Sequence, residues 1–114
     1  MHELSIALSV VESVAGHVAA HGGGRVAAVT LRIGALSGVD PAALRFAFPE
    51  AARGTALDGA LLVIDPVAAA AWCPRCEAER PLGSVQRMRC PVCAAPTPRL
   101  IRGRELEILA VEVT

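Results

Sequence analysis

The thiol chemistry of this 114-residue chain is concentrated in one stretch, Trp72 to Cys93, which reads W-C-P-R-C-E-A-E-R-P-L-G-S-V-Q-R-M-R-C-P-V-C and holds all four cysteines. They form two C-P-x-C knuckles, Cys73/Cys76 and Cys90/Cys93, separated by 13 residues. A two-residue gap turns both sulfurs of a knuckle to one side of a tight loop, and Pro74 and Pro91 stiffen each turn. Two such loops can close a tetrahedron of thiolates around zinc, and the intervening residues are long enough for a hairpin that brings the knuckles together. Four thiolates leave no open position for water or substrate, so the expected role of Cys73, Cys76, Cys90 and Cys93 is a structural zinc ribbon.

Two disulfides or a redox pair would need an oxidising compartment or a thioredoxin-like context. The first segment carries Glu3, Ser5, Ser9 and Glu12 rather than a basic end followed by an apolar run, so it does not read as a secretory signal. No uninterrupted apolar run is long enough to span a bilayer. The expected location is the cytoplasm.

The net formal charge is zero, yet residues 73 to 104 carry seven arginines (75, 80, 87, 89, 99, 102 and 104) against Glu77 and Glu79. That excess suits nucleic acid, which many zinc ribbons bind. It equally suits a zinc ion with four thiolates, whose net negative charge attracts local cations. Stacking platforms are scarce, because the aromatic residues are Trp72, Phe46 and Phe48 alone. The reading adopted is a zinc-compensating basic face, with a nucleic-acid-binding or protein-binding adaptor as the alternative.

Every basic residue is arginine, which removes lysine-based covalent catalysis. No nucleophile elbow or phosphate loop occurs, and the cysteines are committed to metal. An enzyme is not expected.

The amino terminus offers a second kind of ligand set. The free α-amine of Met1, the His2 imidazole and the first backbone amide nitrogens lie close enough covalently to chelate one ion, and nitrogen-rich planar coordination selects nickel(II) or copper(II) over zinc. By composition alone, His2 is equally a solvated residue on a chain end. His17 and His21, four residues apart, can share a metal or can be two surface histidines favoured by a helix C-terminus.

The elements that must position these groups are readable from periodicity. Residues 4 to 20 place Leu4, Ala7, Leu8, Val11, Val14, Ala15 and Val18 on one helical face, ended by Gly22-Gly23-Gly24. Residues 25 to 33 alternate, with Ala27, Val29, Leu31 and Ile33 on one face of a strand. Asp40-Pro41 is an N-cap followed by proline at the first helical position, and a second helix should run to about Arg53 with Leu44, Phe48 and Ala51 in the core. Pro49 should kink or shorten it. Residues 60 to 72 are expected to be extended and to deliver Trp72 and Cys73 to the ribbon, and residues 103 to 114 to form a last strand in the same sheet as that stretch, so that the ribbon is an insertion between the two. The alanines at 68 to 71 and A-A-P-T-P at 94 to 98 are candidate hinges.

Together, M-H-E-L-S at the start, L-R-I-G-A-L-S-G-V-D-P-A-A-L-R-F-A-F across 31 to 48, A-R-G-T at 52 to 55, W-C-P-R-C with C-P-V-C, and the closing G-R-E-L-E-I-L-A-V-E-V resemble the HypA/HybF family of nickel-incorporation metallochaperones. The resemblance implies an α+β fold: a small mixed sheet with two helices forming a nickel domain (residues 1-70 and 99-114), plus an inserted four-cysteine zinc-ribbon lobe (71-98). It maps the nickel ligands onto the Met1 amine, His2 and the backbone of Glu3, and the zinc ligands onto Cys73, Cys76, Cys90 and Cys93. It further implies a nickel cargo delivered with a HypB-type GTPase to the [NiFe]-hydrogenase large-subunit precursor, in some relatives to urease, and it leaves a homodimer open. Glu77 and Ala94 depart from the pattern, since glycine commonly follows a zinc knuckle where the backbone tends to positive φ.

Overall fold

The computed structural model describes residues 3–84 and 87–114 in the order α1 (Glu3–Ala20), β1 (Val26–Gly34), α2 (Pro41–Ala52), β2 (Leu61–Val67), β3 (Ala70–Cys73), β4 (Ala78–Pro81), β5 (Arg99–Arg102) and β6 (Leu106–Val113). The chain divides into two compact units, one comprising residues up to Leu31, Val39–Asp65 and Glu107–Thr114, the other Arg32–Gly38 and Pro66–Leu106.

In the first unit α1 begins with an acidic residue at its positive pole and buries Ala7, Val10, Val11, Val14 and Val18, packing against α2. The helix stops where the Gly23 N–H donates to the Val18 carbonyl at 2.8 Å, a six-to-one bond that requires the left-handed Gly22 (φ 104°). The buried face is rotated from the expected one. Leu4 and Leu8 are 47% and 49% exposed, and Val10 takes their place in the core. With 18 residues and a mean hydropathy of 1.3, α1 is by length and composition long and apolar enough to cross a membrane. Its narrow buried stripe, with Glu12, Ser13 and His17 exposed opposite, is the pattern of a helix lying on a protein core.

Asp40 caps α2 as expected: its Oδ1 accepts the N–H groups of Ala42 (3.0 Å) and Ala43 (3.4 Å), with Pro41 at the first helical position. Leu44, Phe48 and Ala51 are buried, joined by Ala52 and by Leu57 beyond the helix. Pro49 does not end α2, which continues to Ala52. β1 is the central strand of a sheet ordered β2-β1-β6, so the strands before and after the ribbon flank the same neighbour. Its alternation is borne out at Val29, Leu31 and Ile33, all nearly inaccessible.

The second unit is built on a sheet ordered β4-β3-β5. The expected single extended stretch at 60 to 72 is two strands, β2 and β3, in different sheets. Ala70 and Ala71, read as hinge residues, pair with Pro81 and Arg80 on β4 and with Arg102 and Leu100 on β5. Close backbone approach is needed nearby, since a Cβ added at Gly103 would lie 2.9 Å from Cα and Cβ of Ala69. The same demand holds at Gly34, where an added Cβ would lie 2.2 Å from the carbonyl carbon and oxygen of Gly103, whose φ is 129°. Gly34 and Leu36 both use this approach: the Gly34 N–H donates to the Glu105 carbonyl (2.8 Å) and the Leu36 N–H to the Gly103 carbonyl (2.6 Å).

Candidate metal centre

The first knuckle is the turn between two paired strands. β3 ends at Cys73, which pairs with Ala78 at the start of β4, and the four residues between them carry Cys76 back over the strand ends. The second is a tight loop closed by the Arg89–Pro96 bridge, in which Cys90 donates its N–H to the Ala95 carbonyl and accepts the Ala94 N–H on its own carbonyl, both at 2.9 Å. Backbone N–H groups then turn onto sulfur: Cys76 N–H onto Cys73 Sγ (3.3 Å), and Val92 and Cys93 N–H onto Cys90 Sγ (both 3.4 Å). These donors stabilise thiolate over thiol.

All four sulfurs lie within 4.8 Å of one another, with Cys73 Sγ 3.5 Å from Cys93 Sγ and Cys76 Sγ 3.8 Å from Cys90 Sγ. A zinc–sulfur bond of about 2.3 Å in a regular tetrahedron places sulfurs about 3.8 Å apart. The cysteines are free, and these separations far exceed a disulfide bond of about 2.05 Å, so the disulfide reading is set aside. Cys73 and Cys90 are buried while Cys76 and Cys93 are partly accessible.

Electrostatics point to a cation. Burial disfavours the Cys90 thiolate, but the N–H groups of Cys93 and Val92, helped by the thiols of Cys93 and Cys73, bring its pKa down to about 6. At Cys93 the Ala95 backbone favours ionisation, yet burial and the sulfurs of Cys73, Cys76 and Cys90 push the thiol up to about 11. One negative charge forms easily here and the next is opposed by the first. A dication shared among the sulfurs removes that opposition, and zinc takes thiolate ligands in this number and geometry.

The sulfurs of Cys76 and Cys90 hold the guanidinium of Arg80, on β4, above its ordinary pKa. Sequence reasoning assigned charge compensation to the arginines as a group and did not single out Arg80. No local signal in the sequence sets it apart from the other arginines of the ribbon. Three more arginines have local partners. Arg102 pairs with Glu79 at 2.7 Å, the Arg99 guanidinium lies 5.5 Å from the centre of the Trp72 ring, and Arg89 donates to the Ala94 carbonyl at 3.2 Å. A basic face already engaged with sulfur, carboxylate, indole and carbonyl favours compensation over a nucleic-acid surface.

Of the expected nickel ligands, Met1 and His2 lie outside the described residues. Glu3 opens α1, and its carboxylate accepts the backbone N–H of Asp40 at 3.2 Å. The 37-residue separation gave no sequence signal for this contact. The structure thus brings the four cysteines together and ties Glu3 to the cap of α2, while His17 and His21 form a separate pair on the exposed side of α1.

A family model described as hydrogenase/urease nickel incorporation, metallochaperone, hypA matches residues 1–113. The chain is 48% identical over 112 residues to a hydrogenase maturation factor HypA of Chloroflexus aurantiacus, covering 98% of each. It is 44% identical over 108 residues to the factor of the same name from Deinococcus radiodurans, covering 95% of this chain and 89% of that one. Among solved structures, the nickel metallochaperone HypA from Helicobacter pylori superimposes with a TM-score of 0.68 at 21% identity, covering 99% of this chain and 97% of the other. A second solution structure, of a HypA protein, gives a TM-score of 0.72 at 21% identity, over 100% and 97% of the two chains. At that identity the two structures speak for the shared fold of two helices, small sheets and a cysteine-bearing unit.

Proposed function

Because this chain belongs to the HypA family of hydrogenase/urease nickel-incorporation metallochaperones, a family of carriers rather than enzymes, we propose that it carries nickel(II) on its first three residues and releases it during [NiFe]-hydrogenase maturation. The Met1 amine, the His2 imidazole and the backbone nitrogens of His2 and Glu3 supply the donors, a set that suits nickel(II) by its nitrogen content and planarity. A HypB-type GTPase and the hydrogenase large-subunit precursor are the proposed partners, urease a further recipient, and the cytoplasm the compartment.

The observation that carries this reading is the tie between Glu3 and the Asp40 N–H. It ties down the residue that directly follows His2, beside the proposed donors. Such a site can surrender its ion stepwise as a recipient's ligands replace the protein's own. A closed thiolate cage cannot, which divides the labour between the two ends of the chemistry.

Cys73, Cys76, Cys90 and Cys93 would hold zinc, which supplies charge neutralisation and a fold constraint worth about 10–16 kcal/mol in comparable small sites. Arg80 offsets the charge of the sulfurs, and the knuckle N–H groups keep them ionised.

The test uses protein with its native amino terminus, loaded with both metals, desalted and measured by elemental analysis, alongside His2→Ala and a form with an added N-terminal extension. Zinc stays bound in all three, and the nickel that survives desalting is lost from both altered forms. Nickel retained by both would remove the terminal site.

A further inference from the structure

α1 ends beside a pair of imidazoles for which neither the thiolate cluster nor the terminal ligand set has any use. His17 and His21 are one helical turn apart, exposed, and stacked with ring centroids 4.2 Å apart and an interplanar angle of 29°. The stacking directs the two rings to the same patch of solvent at the end of α1.

One ring has its tautomer set. His21 Nδ1 lies 2.8 Å from the His17 carbonyl oxygen. A carbonyl can only accept, so Nδ1 carries the hydrogen, and in the neutral ring the lone pair is on Nε2. An Nδ1–H donated to a backbone carbonyl with Nε2 left free is the arrangement by which proteins orient metal-binding imidazoles. His17 lies in the last turn of the helix and His21 directly follows its end, where the backbone dipole presents its negative pole to a cation.

We propose that His17 and His21 form a second, exchangeable site for a divalent late first-row ion, nickel(II), copper(II) or zinc(II), at the C-terminal end of α1. Imidazole nitrogen suits those three ions. Two protein ligands leave the remaining positions to water or to an incoming partner's donors, because among the described residues no third histidine, cysteine, aspartate or glutamate completes the group. Room for them exists. His17 lines a hollow of about 410 Å³ with Ser13, Val14 and residues 108–111 of β6, and an adjoining one of about 220 Å³ reaches His21 and Gly23. The site is therefore open and weak, fitted to brief residence. Its basis is the geometry of α1, and it does not depend on the terminal nickel reading.

The experiment starts from zinc-loaded His2→Ala, which removes the imidazole from the terminal donor set, and adds nickel chloride while imidazole nitrogen resonances are followed by long-range ¹H–¹⁵N NMR. The expected result is selective broadening of both His17 and His21 at the same nickel concentration, reversed by desalting. In His17→Ala the His21 signal, and in His21→Ala the His17 signal, should no longer respond at that concentration, because a chelate needs both rings. His17 is exposed on α1 and His21 is exposed in the turn that follows it, so alanine is well tolerated, and unchanged backbone amide spectra check that; the corresponding glutamine variants repeat the test if a spectrum moves. Absence of broadening in His2→Ala overturns the proposal. So does an undiminished response of the remaining imidazole in either single variant, which would mean two independent surface histidines.

Discussion

The carboxylate of Glu3 accepts the backbone N–H of Asp40 at 3.2 Å, joining the first turn of α1 to the residue that caps α2. Asp40 thus works in two directions, donating its N–H to Glu3 while its own side chain accepts from Ala42 and Ala43. Glu3→Ala removes the acceptor and should cost about 1 kcal/mol, lowering the melting temperature by about 4 °C. Glu3→Gln retains an acceptor oxygen and should lose less than half as much. If nickel is held by the adjacent terminus, Glu3→Ala should also weaken nickel binding while zinc content stays unchanged. Thermal melts and nickel titrations of the two variants decide the matter. Equal losses in both would mean that negative charge at the helix N-terminus, rather than the hydrogen bond, is what Glu3 provides.

Each cysteine knuckle is followed by a side-chain-bearing residue in the left-handed region, Glu77 at φ 54° and Ala94 at φ 63°. The departure noted in the sequence, glutamate and alanine where glycine is common, did not change the backbone path. The loops take the same conformation and store strain, of order 1 kcal/mol per residue. Glu77→Gly and Ala94→Gly should each stabilise the ribbon by about 0.5 kcal/mol once the greater freedom of glycine in the unfolded chain is deducted. The measurement is the rate of zinc transfer to a chelator, expected to fall in each variant and further in the double variant. Faster transfer in either would show that the side chain makes a contact outweighing the strain.

Legibility in the sequence followed the range of the interaction. The ends of α1 and α2 were readable because caps act within a few residues: the glycines at 22 to 24, and Asp40 with Pro41. The cysteine cluster was readable because its geometry is set by two short loops. Which side of α1 would be buried was less so, since Leu4 and Leu8 share a stripe with Val11 and only the tertiary packing decides that Val10 takes their place. Sequence separation hid the rest. Nothing local marks Glu3 as a partner of Asp40, distinguishes Arg80 from the other arginines of the ribbon, or shows that an alanine run will be the central strand of a sheet.

Glu79 on β4 and Arg102 on β5 meet at 2.7 Å, although neither strand pairs with the other. Their registers explain it: Glu79 lies opposite Trp72 and Arg102 opposite Ala70, so the ion pair reaches over β3 and straps the two outer strands together. The hydrogen bond from Arg102 holds the Glu79 carboxyl below the usual carboxylate range, with partial burial opposing and the guanidinium charge adding, and Arg102 is raised in turn by the same partner. A carboxyl with a depressed folded pKa contributes stability that is fully present above its unfolded value and is lost as pH falls through the folded one. The pair is well exposed, so its contribution is small and its titration is the better measure. In zinc-bound protein the midpoint of the Glu79 side-chain carboxyl titration, followed by its ¹³C signal, should lie at lower pH than that of the same carboxyl in Arg102→Gln. Coincident curves for the two proteins would show that Arg102 does not set the Glu79 pKa, and the strap across β3 would then be a contact without electrostatic consequence.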